Sequence, residues 1–358
     1  MSFKEYDNYD GLGLAGLVRN RDVSAHELLD EAIQRNEKVN KKTNAVVLKH
    51  YDEAKAMIDK GLPEGPFTGV PYLLKDLHVL LTGTKTTFGS QFFQDYIADH
   101  NSTLVDRYLK AGLIIFGKTN SPEFGLTVTT EPTLYGPTRN PWNLNHSTGG
   151  SSGGAAAAVA SGVVPFANAS DGGGSIRIPA SCCSLVGLKP TRARTPMGPD
   201  RGEGWAGQSI SHCVSKTVRD SAALLDATTG LAPGDPYTAP EASKSFLSAC
   251  NKNPGKLKIA LDLPEDKINI DEDVISCIKH TAKLCESLGH EIEEVSPEID
   301  TDALSEALGI IISANVTLAL QQRAEALGIQ VSPDVVEHIT YRMYENGKEF
   351  SADQYAKA

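Results

Sequence analysis

The sequence predicts an α/β fold built on a Gly-rich core, and three observations carry that expectation. The amino-terminal stretch reads as helix, the middle as short apolar runs broken by Gly and Pro, and the segment after Pro254 as strand, helix and strand. Within the first sixty residues Ser24 is placed to cap a helix carrying Leu28, Leu29, Ala32 and Ile33, with Glu27 set to complete a capping box. Tyr51 to Lys60 has the same helical texture. From Phe67 the runs GVPYLLKDL, GLIIFGKTN and SGVVPFANASDGGGSIRIP read as core strands and turns, with AAAAVASG a helix between the last two. Further on, KLKIALDL reads as a strand, Asp271 to Leu288 as an amphipathic helix stopped at Gly289, and EIEEVS as a second strand. That βαβ order favours a parallel pair. Thr301 to Leu327 reads as one long helix, and the closing SADQYAKA as the opening of another.

A length of 358 residues suits one large domain or two modest ones. The net charge of -11 disfavours a broad nucleic-acid or anionic-membrane surface, since both need basic patches; a small, uncharged substrate fits better. MSFKEYDNYD has no basic segment followed by an apolar run, and the apolar stretch Ala155 to Phe166 is interrupted by Ser161, Gly162 and Pro165, so neither export nor membrane spanning is expected. The six cysteines show no CxxC spacing, and Cys182 and Cys183 are adjacent, which is poor geometry for a disulfide framework; a cytoplasmic location is expected. Cys277 and Cys285 fall on one helix face and read as packed thiols. The histidines show no HExxH pairing, so no metal is expected.

Two Ser-bearing glycine clusters stand out: Gly149-Gly150-Ser151-Ser152-Gly153-Gly154 and Gly172-Gly173-Gly174-Ser175. Consecutive glycines let backbone N–H groups converge on one developing negative oxygen, and a serine closing such a run is placed to attack. Each cluster taken singly reads more readily as a set of tight turns, and the pairing of two, each with Ser, weakens that reading. A serine hydroxyl needs a base, and Lys75, in the apolar run PYLLKDL, becomes one if desolvation disfavours its charged form; the plainer reading is a snorkelling surface lysine paired with Asp76. Gly112 to Thr119 satisfies the Walker A pattern, but the residues between its glycines are a β-prone run with no loop to cradle phosphates. Gly150 to Gly154 fits the GxSxG elbow with Ser152 as nucleophile and His212 or His338 as base, yet the preceding NPWNLNHST is polar, contains Pro141 and shows no strand. Cys182 or Cys183 as nucleophile is disfavoured as a buried, inert thiol.

Together GVPYLLKDL, GKTNSPEFG, NPWNLNHSTGGSSGG and SDGGGSIRIPASCCSLVGLKPT resemble the amidase signature family in order and spacing, densely over Phe67 to Arg194 and loosely in the flanks. The resemblance implies a mixed β-sheet covered by helices on both faces, in a single amidase domain over 1–358. Its parts would be amino-terminal helices over 1–60, the signature core over 61–230, and a βαβ and helical part over 231–358. It implies a Lys-cis-Ser-Ser triad in which Ser175 attacks, Ser151 bridges and Lys75 is the base, with an oxyanion hole from the N–H groups of Gly172, Gly173, Gly174 and Ser175. Asp171 and Arg177 would order the loop by pairing. No cofactor is implied. The expected partner is a small-molecule amide, with no nucleic acid bound directly, no membrane, and a homodimer open.

Within the family, TTEPTLYGPTRNPWN and ASDGGGSIRIPAS look more like the 6-aminohexanoate cyclic-dimer hydrolase group and general amidases than the glutamyl-tRNA(Gln) amidotransferase A-type subunit. That subunit carries Thr where this chain has Gly172. It stands as the leading alternative. Members of the family continue for about another hundred residues, the size of a small domain, so the chain is expected to lack the carboxy-terminal portion of the fold, and an inactive truncated amidase is the third reading.

Overall fold

The computed structural model describes residues 3, 5–263 and 269–358. They form two compact units, Met1–Cys250 with Gly309–Ala358, and Asn251–Leu308, so the expected 231–358 part is shared between them. In the first unit α1 (Gly11–Asn20) starts at Asp10, whose carboxylate accepts from Gly13 N–H. Helix α2 (Ala25–Thr43) starts on the expected capping box: Ser24 Oγ accepts from Glu27 N at 3.2 Å, and Glu27 Oε2 accepts from Ser24 N at 2.9 Å. Its apolar face, Leu28, Leu29 and Ala32, is buried. Strand β1 (Val46–Lys49) and helix α3 (Tyr51–Asp59) follow.

Strand β2 (Pro71–Lys75), helix α4 (Thr103–Lys110) and strand β3 (Ile114–Thr119) complete a first sheet in the order β1-β3-β2, with β1 antiparallel and β2 parallel to β3. The Walker-like segment is therefore the fully buried strand itself, and Asn120-Ser121-Pro122 follows it without a helix. A hairpin of β4 (Arg139–Asn140) and β5 (Asn143–Ser147) comes next. It corrects the expectation that no strand precedes Ser152: Pro141 sits in the turn, where its missing N–H costs nothing, and the polar residues lie on an exposed hairpin.

Helix α5 (Gly153–Ala160) leads into β6 (Phe166–Asp171), α6 (Arg177–Cys182), β7 (Val186–Gly187), β8 (Ile210–Ser215), α7 (Val218–Thr228) and α8 (Phe246–Ala249). The second sheet has the order β6-β8-β7, all antiparallel. Its edge strand β6 meets β2, where Lys75 N–H donates to Asn168 Oδ1 at 3.1 Å. Alternation along the strands feeds two cores. Leu73, Ile114 and Phe116 join Leu29 of α2 and the alanines of α5, while Tyr72, Leu74 and Ile115 join Leu14, Tyr108 and Leu224 from α1, α4 and α7. Helices thus cover both faces of mixed β structure, as the resemblance implied.

In the second unit β9 (Lys258–Leu261), α9 (Glu272–Ser287) and β10 (Glu291–Glu294) form the expected parallel βαβ unit. Cys277 on α9 is exposed rather than packed, and the six cysteines are all free thiols. Helix α10 (Thr301–Leu327) matches its sequence limits. It is long and apolar enough, at a mean hydropathy of 1.7, to cross a membrane by length and composition, which the sequence reading passed over; here Val316 and Leu320 are buried in one cluster with Phe92, Phe93 and Phe124. Helices α11 (His338–Glu349) and α12 (Ala352–Lys357) end the chain.

Candidate active site

Lys75 ends β2 as a fully buried residue. Its Nζ stands 2.7 Å from Ser151 Oγ and 3.1 Å from Ser170 Oγ, with no carboxylate in salt-bridge reach among the described residues. Burial pushes its pKa down to about 7, and the charge of Asp171 opposes that fall. The surface pairing with Asp76 does not occur. Asp76 is itself buried and accepts from Thr87 N–H and Oγ–H, and its neighbouring cation is Lys118, which burial lowers to about 8.

Ser151 is 2% exposed and follows a cis peptide from Gly150. No side chain fits at Gly150, because an added Cβ would lie 2.5 Å from Thr129 O. Thr130 clamps the loop: its Oγ1 donates to Gly149 O at 3.0 Å and accepts from Gly153 N at 3.1 Å. The N–H of Ser152 donates to Ser175 O at 3.3 Å, which ties the second glycine cluster beside the first. Ser175 is half-buried, and its hydroxyl has no hydrogen bond among the described residues. Ser152 is fully buried, with Oγ bonded to the backbone of Ser170 at 3.3 Å. His212 instead meets Ser221 Oγ at 2.9 Å and is lowered to about 4 by burial, while His338 is exposed; neither serves Ser152. Cys183 is buried and its thiol is pushed up to about 12, while Cys182 proves exposed, with burial of its thiol still raising the pKa.

Asp171 organises the 172–175 loop. Its carboxylate accepts from Gly174 N at 2.8 Å and Ile176 N at 3.2 Å, and takes a two-pronged contact from Arg177 at 2.9 Å on each oxygen. Burial works to raise this carboxyl, and those hydrogen bonds overcome it, holding it below the usual carboxylate range. Gly174 N–H, one of the expected oxyanion donors, thus donates to Asp171. The N–H groups of Gly172, Gly173 and Ser175 carry no hydrogen bond among the described residues and are the ones free to meet an oxyanion.

Sequence reasoning missed Ser170, Asn168, Thr130 and Trp205. The first two had a signal, since FANASD alternates and puts Asn168 and Ser170 on one face of β6. Trp205 had none, because a loop delivers its ring over Gly172, where an added Cβ would stand 2.6 Å from it; around Gly173 nothing lies within 4 Å. Gly172→Ala is therefore expected to cost about 1–3 kcal/mol by overpacking, read as a lowered urea midpoint, whereas Gly173→Ala keeps the wild-type midpoint. Equal midpoints for the two would overturn this placement of Trp205.

The Amidase family model matches residues 27–356. The 6-aminohexanoate-cyclic-dimer hydrolase of Paenarthrobacter ureafaciens is 37% identical over 354 residues, which are 97% of this chain and 71% of that protein. A solved 6-aminohexanoate cyclic dimer hydrolase complexed with substrate superposes with a TM-score of 0.91 at 35% identity, covering 98% of this chain and 73% of that one. A bacterial aryl acylamidase of the amidase signature enzymes gives 0.90 at 30% identity, covering 98% and 74%. With this match over nearly its whole length, the chain belongs to the amidase signature family and is a hydrolase of amide carbon–nitrogen bonds.

Proposed function

We propose that the chain hydrolyses small linear or cyclic amides through an acyl-enzyme on Ser175. The observation that carries this reading is the 2.7 Å contact between Lys75 Nζ and Ser151 Oγ inside a buried pocket where burial lowers the lysine to about 7, so that its neutral form is within reach near neutral pH. Neutral Lys75 accepts the Ser151 proton while Ser151 accepts the Ser175 proton, and Ser175 Oγ bonds to the carbonyl carbon. The carbonyl oxygen takes the negative charge and faces the free N–H groups of Gly172, Gly173 and Ser175. As the C–N bond breaks, Ser151 protonates the departing nitrogen and is reprotonated by Lys75. Water then attacks the ester by the same relay, releasing acid and free Ser175. The names of the relatives, acting on a cyclic amide dimer and on aryl acylamides, support a small amide as substrate.

The test is a fluorophosphonate probe followed by mass mapping of the labelled peptide. A single adduct at Ser175, absent when an amide substrate is in excess, is the expected outcome. An adduct on Ser152 or a cysteine would sink the assignment.

A further inference from the structure

A cavity of about 440 Å³ lies in the first unit, within the usual range for small-molecule sites. Three of its walls adjoin the proposed relay. Ser211 stands opposite Ser170 in the β6–β8 register, so their side chains share one face, and Ser170 Oγ meets Lys75 Nζ. His78 lies on the segment that leaves Lys75. Phe124 precedes Gly125, which is so close to Ser151 that an added Cβ would stand 3.1 Å from its Oγ. The remaining lining is largely apolar and includes Phe88, Phe93 and Tyr96, with Phe93 edge-on to Phe124 at 5.5 Å and Phe88 stacked on it at 6.0 Å.

Two guanidinium groups reach this lining, and among the described residues only one is hydrogen-bonded. Arg323 donates to Phe92 O at 3.2 Å and lies over the rings of Phe93 and Tyr96. Arg201 is half-buried and has no hydrogen bond or ion pair among the described residues. The adjacent carboxylate, Asp200, also lines the cavity and its charge favours the Arg201 cation, but its oxygens pair with His100, at 2.9 and 3.1 Å. On the same lining His78 Nδ1 is buried without a partner, and burial, with the charges of Arg201 and Lys75, holds that ring neutral. A half-buried cation and an orphaned polar atom are both costly where no protein group compensates them.

We propose that this cavity receives a carboxylate carried on the substrate chain, clasped by the Arg201 guanidinium, so that the amides turned over are carboxylate-bearing ones. The inference rests on the amidase reading for its link to catalysis. A carboxylate suits the site because a guanidinium fork whose N–H groups have no protein acceptor among the described residues meets its two oxygens in one plane. The apolar walls take the methylene chain.

Two measurements separate failure of this inference from failure of the amidase reading. In the first, Ser175→Ala protein is titrated calorimetrically with hexanoate and with hexan-1-ol. Hexanoate is expected to bind at least fivefold more tightly, and Arg201→Gln, added to Ser175→Ala, to reduce that ratio to near one while Arg201→Lys retains part of it. In the second, kcat/KM of the wild-type chain is compared within two pairs: adipic acid monoamide against hexanamide, and N-acetyl-6-aminohexanoate against N-hexylacetamide. The carboxylate member of at least one pair is expected to lead by fivefold or more. Hexanoate binding no tighter than the alcohol, or a lead below fivefold in both pairs, overturns the proposal. Hydrolysis of none of the four leaves the titration to decide the pocket, and the fluorophosphonate adduct at Ser175 separately decides the acyl-enzyme reading. Should Arg201→Gln fail to fold, the ligand ratios without it still decide.

Discussion

Ser175→Ala is expected to lower kcat on amide substrates by a factor on the order of 10⁴ or more, because on the proposed mechanism it removes the atom that bonds to the acyl group and leaves only binding and oxyanion stabilisation. The protein should fold as before. Ser175 makes no side-chain hydrogen bond among the described residues, and its carbonyl bond to Ser152 N–H does not depend on the side chain. Single-turnover assays and a thermal melt read both outcomes. Ser152→Ala provides the contrast: it loses two backbone contacts of Oγ, at 3.3 Å each, and should show in stability more than in rate. A Ser175→Ala protein with a tenth or more of wild-type activity would remove the nucleophile from this account.

Lys75→Met is expected to do two things at once: lower kcat by on the order of 10³-fold, the usual scale of a general base, and raise the melting temperature near pH 6. The second effect follows from linkage. The folded pKa of about 7 lies below the ordinary lysine value, so the unfolded chain binds more protons between the two. This group therefore adds stability as pH rises from about 7 toward 10, and below 7 its full desolvation cost is present. Methionine is neutral and of similar length, so it removes that cost. Lys118, lowered to about 8, preserves a smaller slope of the same sign in the variant. The wild-type kcat/KM should climb with pH through about 7 and then level off, as required of a base active in its neutral form. A variant that melts lower than wild type at pH 6, with an unchanged pH profile of residual activity, would show that Lys75 is a structural cation and not the base.

Much of the fold was legible because its signals are local. The Ser24 box, the limits of α10 and the parallel β9–β10 pair depend on neighbours in sequence, and each was readable from capping residues and periodicity. The β4–β5 hairpin was not, since polar strands exposed to solvent carry no apolar alternation. The site divides in the same way. The residues of the two glycine clusters and Lys75 could be named in sequence, and the structure brings Lys75 to Ser151 and residue 175 to residue 152. Which N–H groups stay free could not be read, because it depends on where the Asp171 carboxylate points. The cavity was equally hidden: Arg201, His78 and Arg323 lie far apart in the chain and meet only through tertiary packing.

The carboxylate of Asp171 has a consequence for how far this site can be retuned. The same group that fastens Gly174 and Ile176 also holds the Lys75 pKa up by its charge. On the proposed mechanism, base strength and loop geometry therefore share one control point. Neutralising Asp171 to extend activity toward lower pH would slacken the loop that faces the oxyanion, and reinforcing the loop with more negative charge would make the lysine harder to deprotonate. A variant with a shifted pH optimum is better sought among neighbours of Lys75 that leave Asp171 alone, such as Ser170, whose hydroxyl contacts the amine from the opposite strand edge.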